Sequence, residues 1–139
     1  MDSNDEPPSG PANLSLELHE HTPPLSAIRH RISEVFGDLS QDSLEDVQLI
    51  VTELVSNAYD HGRHPRRLCL RRAGASPRLR VEVDDASPEP PVLGRSRLSS
   101  TRGRGLIIVD KIAADWGVAG QPAGKTVWAE LLCDETGTG

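Results

Sequence analysis

Apolar and polar positions alternate, or recur at helical spacing, in distinct stretches of this chain. "LSLEL" (Leu14 to Leu18) alternates strictly, which predicts a strand with one buried face. "TPPLSAIRHRISEVFG" then places Leu25, Ile28, Ile32, Val35 and Phe36 at helical spacing. Thr22 is a candidate N-cap, prolines occupy the first turn, and Gly37 is a stop. "DSLEDVQLIVTELVSNAYDHG" is the longest periodic segment, with Leu44, Val47, Ile50, Val51, Leu54, Val55 and Ala58 on its apolar face. Asp42 or Ser43 can cap it, each with an acid three residues on, and Gly62 can end it.

Two more alternating runs, "RRLCLRR" and "RLRVEVDD", flank "AGASP" and predict a hairpin. About twenty residues of Pro, Ser, Arg and Gly follow, a loop length often found in lids and binding loops. "GLIIVDKIAADWG" predicts a third helix, with Leu106, Ile107, Val109, Ile112 and Ala113 apolar. "GVAG" and "KTVWAELL" around "GQPAG" predict a last hairpin. The order β-α-α-β-β-loop-α-β-β lacks strict alternation of strand and helix. It predicts an α+β, two-layer sandwich: a mixed, mostly antiparallel sheet covered on one face by helices.

Composition narrows the class. A chain of 139 residues is long enough for one domain with a real core, and at 3% aromatic content that core must come from Leu, Val, Ile and Ala. The acidic, Pro-rich residues 1–12 read as a disordered tail, residues 13–133 as the domain, and residues 134–139 as a second tail. The N-terminus has neither the basic nor the apolar stretch of a secretory leader, and no apolar run approaches a membrane span. Two cysteines, Cys69 and Cys133, lack metal-type spacing; Cys69 is expected buried, and a reducing, cytoplasmic setting fits. A net charge of −6 argues against direct nucleic-acid binding. Arg66, Arg67, Arg71 and Arg72 read as the wet side of a strand or as a patch for an acidic partner.

Three places carry candidate chemistry. On the long helix Glu53, Asn57 and His61 recur every four residues, within an arc of about 80° beside the apolar face. They form either a solvated rim or a site, since a half-buried carboxylate needs a partner and Mg²⁺ prefers oxygen ligands. Asp84 and Asp85 end a strand, where they begin a turn or accept hydrogen bonds, as from the exocyclic amine of a purine. "TRGRGL" puts Gly103 and Gly105 at a helix start between Arg102 and Arg104, either a flexible loop or a phosphate cradle. It is neither a Walker loop nor a Rossmann fingerprint.

Taken in order, these segments resemble the GHKL (Bergerat-fold) ATPases, most of all the small anti-sigma-factor serine/threonine kinases and their actinobacterial ATP-binding relatives. "ELVSNAYDHG" resembles the N box, "VEVDDAS" the G1 box, "GRGLIIVDKIAADWG" the G2 box and "GKTVWAEL" the closing Gly-x-Thr strand. The resemblance spans about Leu14 to Leu132. It implies ATP and Mg²⁺ as cofactors, Glu53 as general base, Asn57 as Mg²⁺ ligand and Asp85 as acceptor from the adenine amino group. Gly103 and Gly105 would hold phosphates, flanked by Arg102, Arg104 and Leu106, with the preceding loop as lid. Thr126 would support the adenine site, Ser87 would lie in it, and His61 would sit near the phosphates. The implied partners of a cytoplasmic homodimer are a sigma factor, which it sequesters, and an anti-anti-sigma (STAS) protein, which it phosphorylates. The G1 box departs from the usual Asp-x-Gly: it reads Asp85-Ala86-Ser87, with Pro88, Pro90 and Pro91 after it. That leaves open a catalytically silent ATP-binding regulator, or an interaction module with a degenerate pocket.

Overall fold

The computed structural model describes residues 14–72, 78–88 and 108–134. Strand β1 (Leu14–Leu18) leads into helices α1 (Leu25–Val35) and α2 (Gln41–His61). The hairpin β2 (Arg66–Arg72) and β3 (Arg78–Asp85) follows, then β4 (Asp115–Gln121) and β5 (Gly124–Leu132). The strands form one sheet in the order β1-β2-β3-β5-β4, and every pairing is antiparallel. α1 packs on α2, and α2 lies over β3 and β5. The α+β reading with helices on one face therefore holds.

Strand periodicity explains the layering. Leu68, Val83 and Val127 are aligned across the central strands, as are Leu70, Val81 and Ala129, and all six are buried. They meet Val47, Ile50, Val51, Leu54 and Val55 from α2 and Ile28, Ile32 and Phe36 from the α1 region. The opposite face of the sheet carries charges. There Arg80 reaches Glu82 at 2.6 Å and Glu130 at 2.8 Å, and its guanidinium stacks 4.3 Å over the Trp128 ring.

Several local expectations are corrected. Thr22 does not cap α1; the helix begins after Pro24, which accepts from the Ile28 amide, because Pro23 and Pro24 keep the residues before them extended. For α2 the cap is Ser40, not Asp42 or Ser43: its Oγ accepts from the Ser43 amide at 3.1 Å. Ser43 Oγ instead accepts from the Asp134 amide at 2.8 Å, tying the helix start to the chain after β5. Only residues 108–112 of the expected third helix are helical within the described part, and "DWG" belongs to β4.

The arginines divide by strand parity. Arg67 and Arg71 face outward. Arg66 and Arg72 share the helix-bearing face; Arg66 donates to Ala58 O at 2.9 Å, and Arg72 stacks on Phe36 and pairs with Asp38 at 2.6 Å. Cys69 also lies on the outer face and is half-buried, whereas Cys133 is buried. No helix among the described residues is long and apolar enough to cross a membrane.

Candidate functional site

The C-terminal end of α2 meets the end of β3. Leu54 and Ala58 anchor the helix in the core, so the stripe one step around it sits at the rim of the helix–sheet layer. Glu53 and His61 are half-buried there, and Asn57 is buried at 8% exposure. Among the described residues the Asn57 amide makes no side-chain hydrogen bond. The His61 Nε2 atom is buried and likewise without a hydrogen-bond partner. A buried imidazole nitrogen left unsatisfied is the mark of a group that meets a ligand or water.

Gly62 ends α2 in an extended conformation, with φ −103° and ψ −170°, so the left-handed stop expected of glycine is not used. Its role is space. A Cβ at Gly62 would fall 2.5 Å from Asp85 Cγ and 2.6 Å from Ala58 O. The chain then runs antiparallel to the end of β3: the Ala86 amide donates to Arg63 O at 2.9 Å, and the Arg63 amide to Asp85 Oδ1 at 3.4 Å. Arg66 closes the corner by donating to the last helical carbonyls and stacking 4.2 Å over Tyr59.

Asp85 is the centre of this corner. Its Oδ1 accepts from the Ser87 amide at 2.7 Å, which shapes the Asp85-Ala86-Ser87 turn and buries Ser87. Lys125 lies opposite Asp85 in the β3–β5 register, and its Nζ donates to Oδ1 at 3.1 Å. Nζ is also 3.0 Å from Oδ2, an ion-pair contact, yet no aligned donor reaches that buried oxygen. Both side chains are almost wholly enclosed, Lys125 at 3% and Asp85 at 1% exposure. Gly124 permits the close approach of β5 to the end of β3, since a Cβ there would stand 2.1 Å from the backbone oxygen of Asp85.

Thus Asp85 and Ser87 lie against the end of α2, whose last helical residue is His61, with Asn57 and Glu53 one and two turns before it along the same stripe. Thr126 is not with them. It aligns with Asp84, and its Oγ1 donates to Asp84 Oδ1 at 2.5 Å on the sheet face opposite α2. The residue that reaches Asp85 is its neighbour Lys125, which sequence reasoning passed over. The signal existed: counting back in twos from the apolar Leu131, Ala129 and Val127 lands on Lys125. The other expected residues, Arg102, Gly103, Arg104, Gly105 and Leu106, together with the lid, lie outside the described residues.

Against known proteins, the model of the histidine kinase-like ATPase domain matches residues 19–131. The chain belongs to that family. The match runs from just after β1 to the end of β5 and so includes the α2–β3 corner. No curated protein matches the chain. Among solved structures, it is similar to the Erythrobacter litoralis EL346 blue-light activated histidine kinase, at 22% identity and TM-score 0.53, over 82% of this chain and 42% of that one. It also resembles the histidine kinase domain from that protein, at 20% identity and TM-score 0.50, over 78% of this chain and 58% of that one. At such identities the likeness is one of fold. The chain spans about half the length of these structures.

Proposed function

We propose that this histidine kinase-like ATPase domain binds ATP with Mg²⁺ and acts as an anti-sigma factor with serine/threonine kinase activity toward an anti-anti-sigma (STAS) antagonist. The observation that carries the nucleotide reading is the buried Asp85 carboxylate. Its Oδ2 lacks an aligned donor, and the amino group of adenine is such a donor. The Lys125 ammonium is its charge partner at 3.0 Å, and the oxygen keeps lone-pair capacity for that further donor.

The donor set also fits the rest of the nucleotide. The Asn57 amide oxygen is a neutral ligand of the kind Mg²⁺ accepts, and the ion would keep waters and phosphate oxygens as its other ligands. ATP would supply the phosphoryl group and Mg²⁺ the neutralisation of its charge. The chain's part is positioning. Asp85 orients the base, Asn57 the metal-bound phosphates, and Glu53 accepts the proton of a partner's serine hydroxyl. The partner-switching role, the homodimer and the cytoplasmic setting rest on the resemblance of the N, G1 and G2 boxes to the anti-sigma kinases.

The test combines the protein, ATP, Mg²⁺ and a candidate STAS antagonist. Phosphoserine on the antagonist, lost in Glu53→Ala while ATP binding persists, supports the kinase. Binding of ATP without phosphotransfer by the wild type supports the silent regulator instead. A failure to bind ATP overturns both.

A further inference from the structure

Lys125 has more donors than the structure uses. An ammonium carries three N–H groups, and among the described residues its side-chain partner is Asp85 alone. Such a charge is costly to bury unless its hydrogen bonds are met. Asp85 Oδ2, in ion-pair contact with Nζ at 3.0 Å but without an aligned hydrogen bond, keeps capacity for a further donor. One buried ion pair therefore presents a spare donor beside a spare acceptor. The register of β3 and β5 holds the two groups opposite each other, and the Ser87 and Arg63 amides fix Oδ1 of the carboxylate.

That pattern complements one base edge. Adenine offers an amino donor at N6 next to a ring acceptor at N1. We propose that Lys125 is a base-reading residue that donates to N1 of adenine while Asp85 accepts from N6. The inference rests on the nucleotide reading of the site and adds a specificity determinant to it. In the same orientation guanine turns O6 toward Asp85 and an N–H toward Lys125. Acceptor then faces acceptor and donor faces donor, and a site built on paired polar groups rejects such a base strongly.

The experiment is calorimetric titration of the full chain with Mg²⁺ and three nucleotides: ATP, GTP and 1-deaza-ATP, which lacks the N1 acceptor. The wild type should bind 1-deaza-ATP roughly 10-fold or more weakly than ATP, the loss of one hydrogen bond to a charged group. Lys125→Met should bind ATP and 1-deaza-ATP alike, and Lys125→Arg, which keeps charge and donors, should retain a preference for ATP. Equal wild-type affinity for ATP and 1-deaza-ATP overturns the inference and leaves Lys125 a structural counter-ion, with the nucleotide reading intact. Absence of ATP binding overturns both. The decisive comparison uses the wild type, so it stands even if Lys125→Met fails to fold.

Discussion

Thr126 Oγ1 donates to Asp84 Oδ1 at 2.5 Å, while Lys125, one residue earlier, pairs with Asp85 on the opposite face of the sheet. Two adjacent pairs thus serve two different surfaces. Gln121 Nε2 adds a third member to the outer pair by donating to Thr126 Oγ1 at 3.1 Å. Thr126→Val should cost about 1 kcal/mol in urea unfolding, the worth of one hydrogen bond. Its ATP affinity should stay within about twofold of wild type, because hydroxyl and site are on different faces of the sheet. A tenfold loss of affinity would show that the hydroxyl acts on the nucleotide after all.

The Asp85–Lys125 pair should behave as a coupled unit in folding. Lys125→Met leaves a buried carboxylate without its counter-ion and should cost about 3–5 kcal/mol. The double variant Lys125→Met/Asp85→Leu should recover most of that loss, since no charge remains buried. Chemical denaturation of the two variants measures the coupling. Additive losses would mean that the two groups are solvated separately.

The glycines of the last hairpin should respond oppositely to alanine. At Gly124 the new Cβ would meet Asp85 O at 2.1 Å, a backbone atom that cannot step aside without moving β3. Gly124→Ala should lose about 1–3 kcal/mol, as overpacking does, and weaken ATP binding through the displaced Asp85. At Gly120 nothing lies within 4 Å of the added Cβ. Gly120→Ala should be neutral or stabilise by about 0.5 kcal/mol through the unfolded chain. Thermal melts of the two variants side by side decide the matter.

Cys133 should make stability fall in alkali. Burial, reinforced by Asp134 and Asp46 against the opposing Arg72, pushes its thiol up to about 11. The folded state thus holds the proton longer than the unfolded chain. Stability is full below the ordinary thiol range and falls, by roughly 1 kcal/mol per pH unit, from about pH 9 to 11. Urea unfolding at pH 8 and pH 10 should show the drop, and Cys133→Ala should flatten it. Native alkylation at pH 8 should label Cys69, half-buried on the outer face, well before the enclosed Cys133.

Much of the architecture is legible in the residues alone. The alternation of β2, β3 and β5 and the helical spacing of α2 each tie a period to one buried face, so element type and layer follow from local pattern. The same pattern marked Glu53, Asn57 and His61 as a stripe and Asp85 as a strand end. Boundaries were less legible. Ser40 caps α2 because its oxygen reaches the Ser43 amide, while Ser43 is drawn off by Asp134, ninety-one residues away in sequence. The break between the turn at 108–112 and β4 depends on pairing with β5, which outweighs the helical spacing of "KIAADWG".

The sequence by itself determined the α+β class, the order of the elements and the stripe on α2, because these depend on spacings within single segments. Only the tertiary structure decided that Lys125 rather than Thr126 stands against Asp85. A one-residue change of parity reverses the face on which a side chain appears, and the register between β3 and β5 sets that parity. Gly62 and Gly124 likewise gain their purpose only when two distant segments close on Asp85, the first on its carboxylate and the second on its backbone.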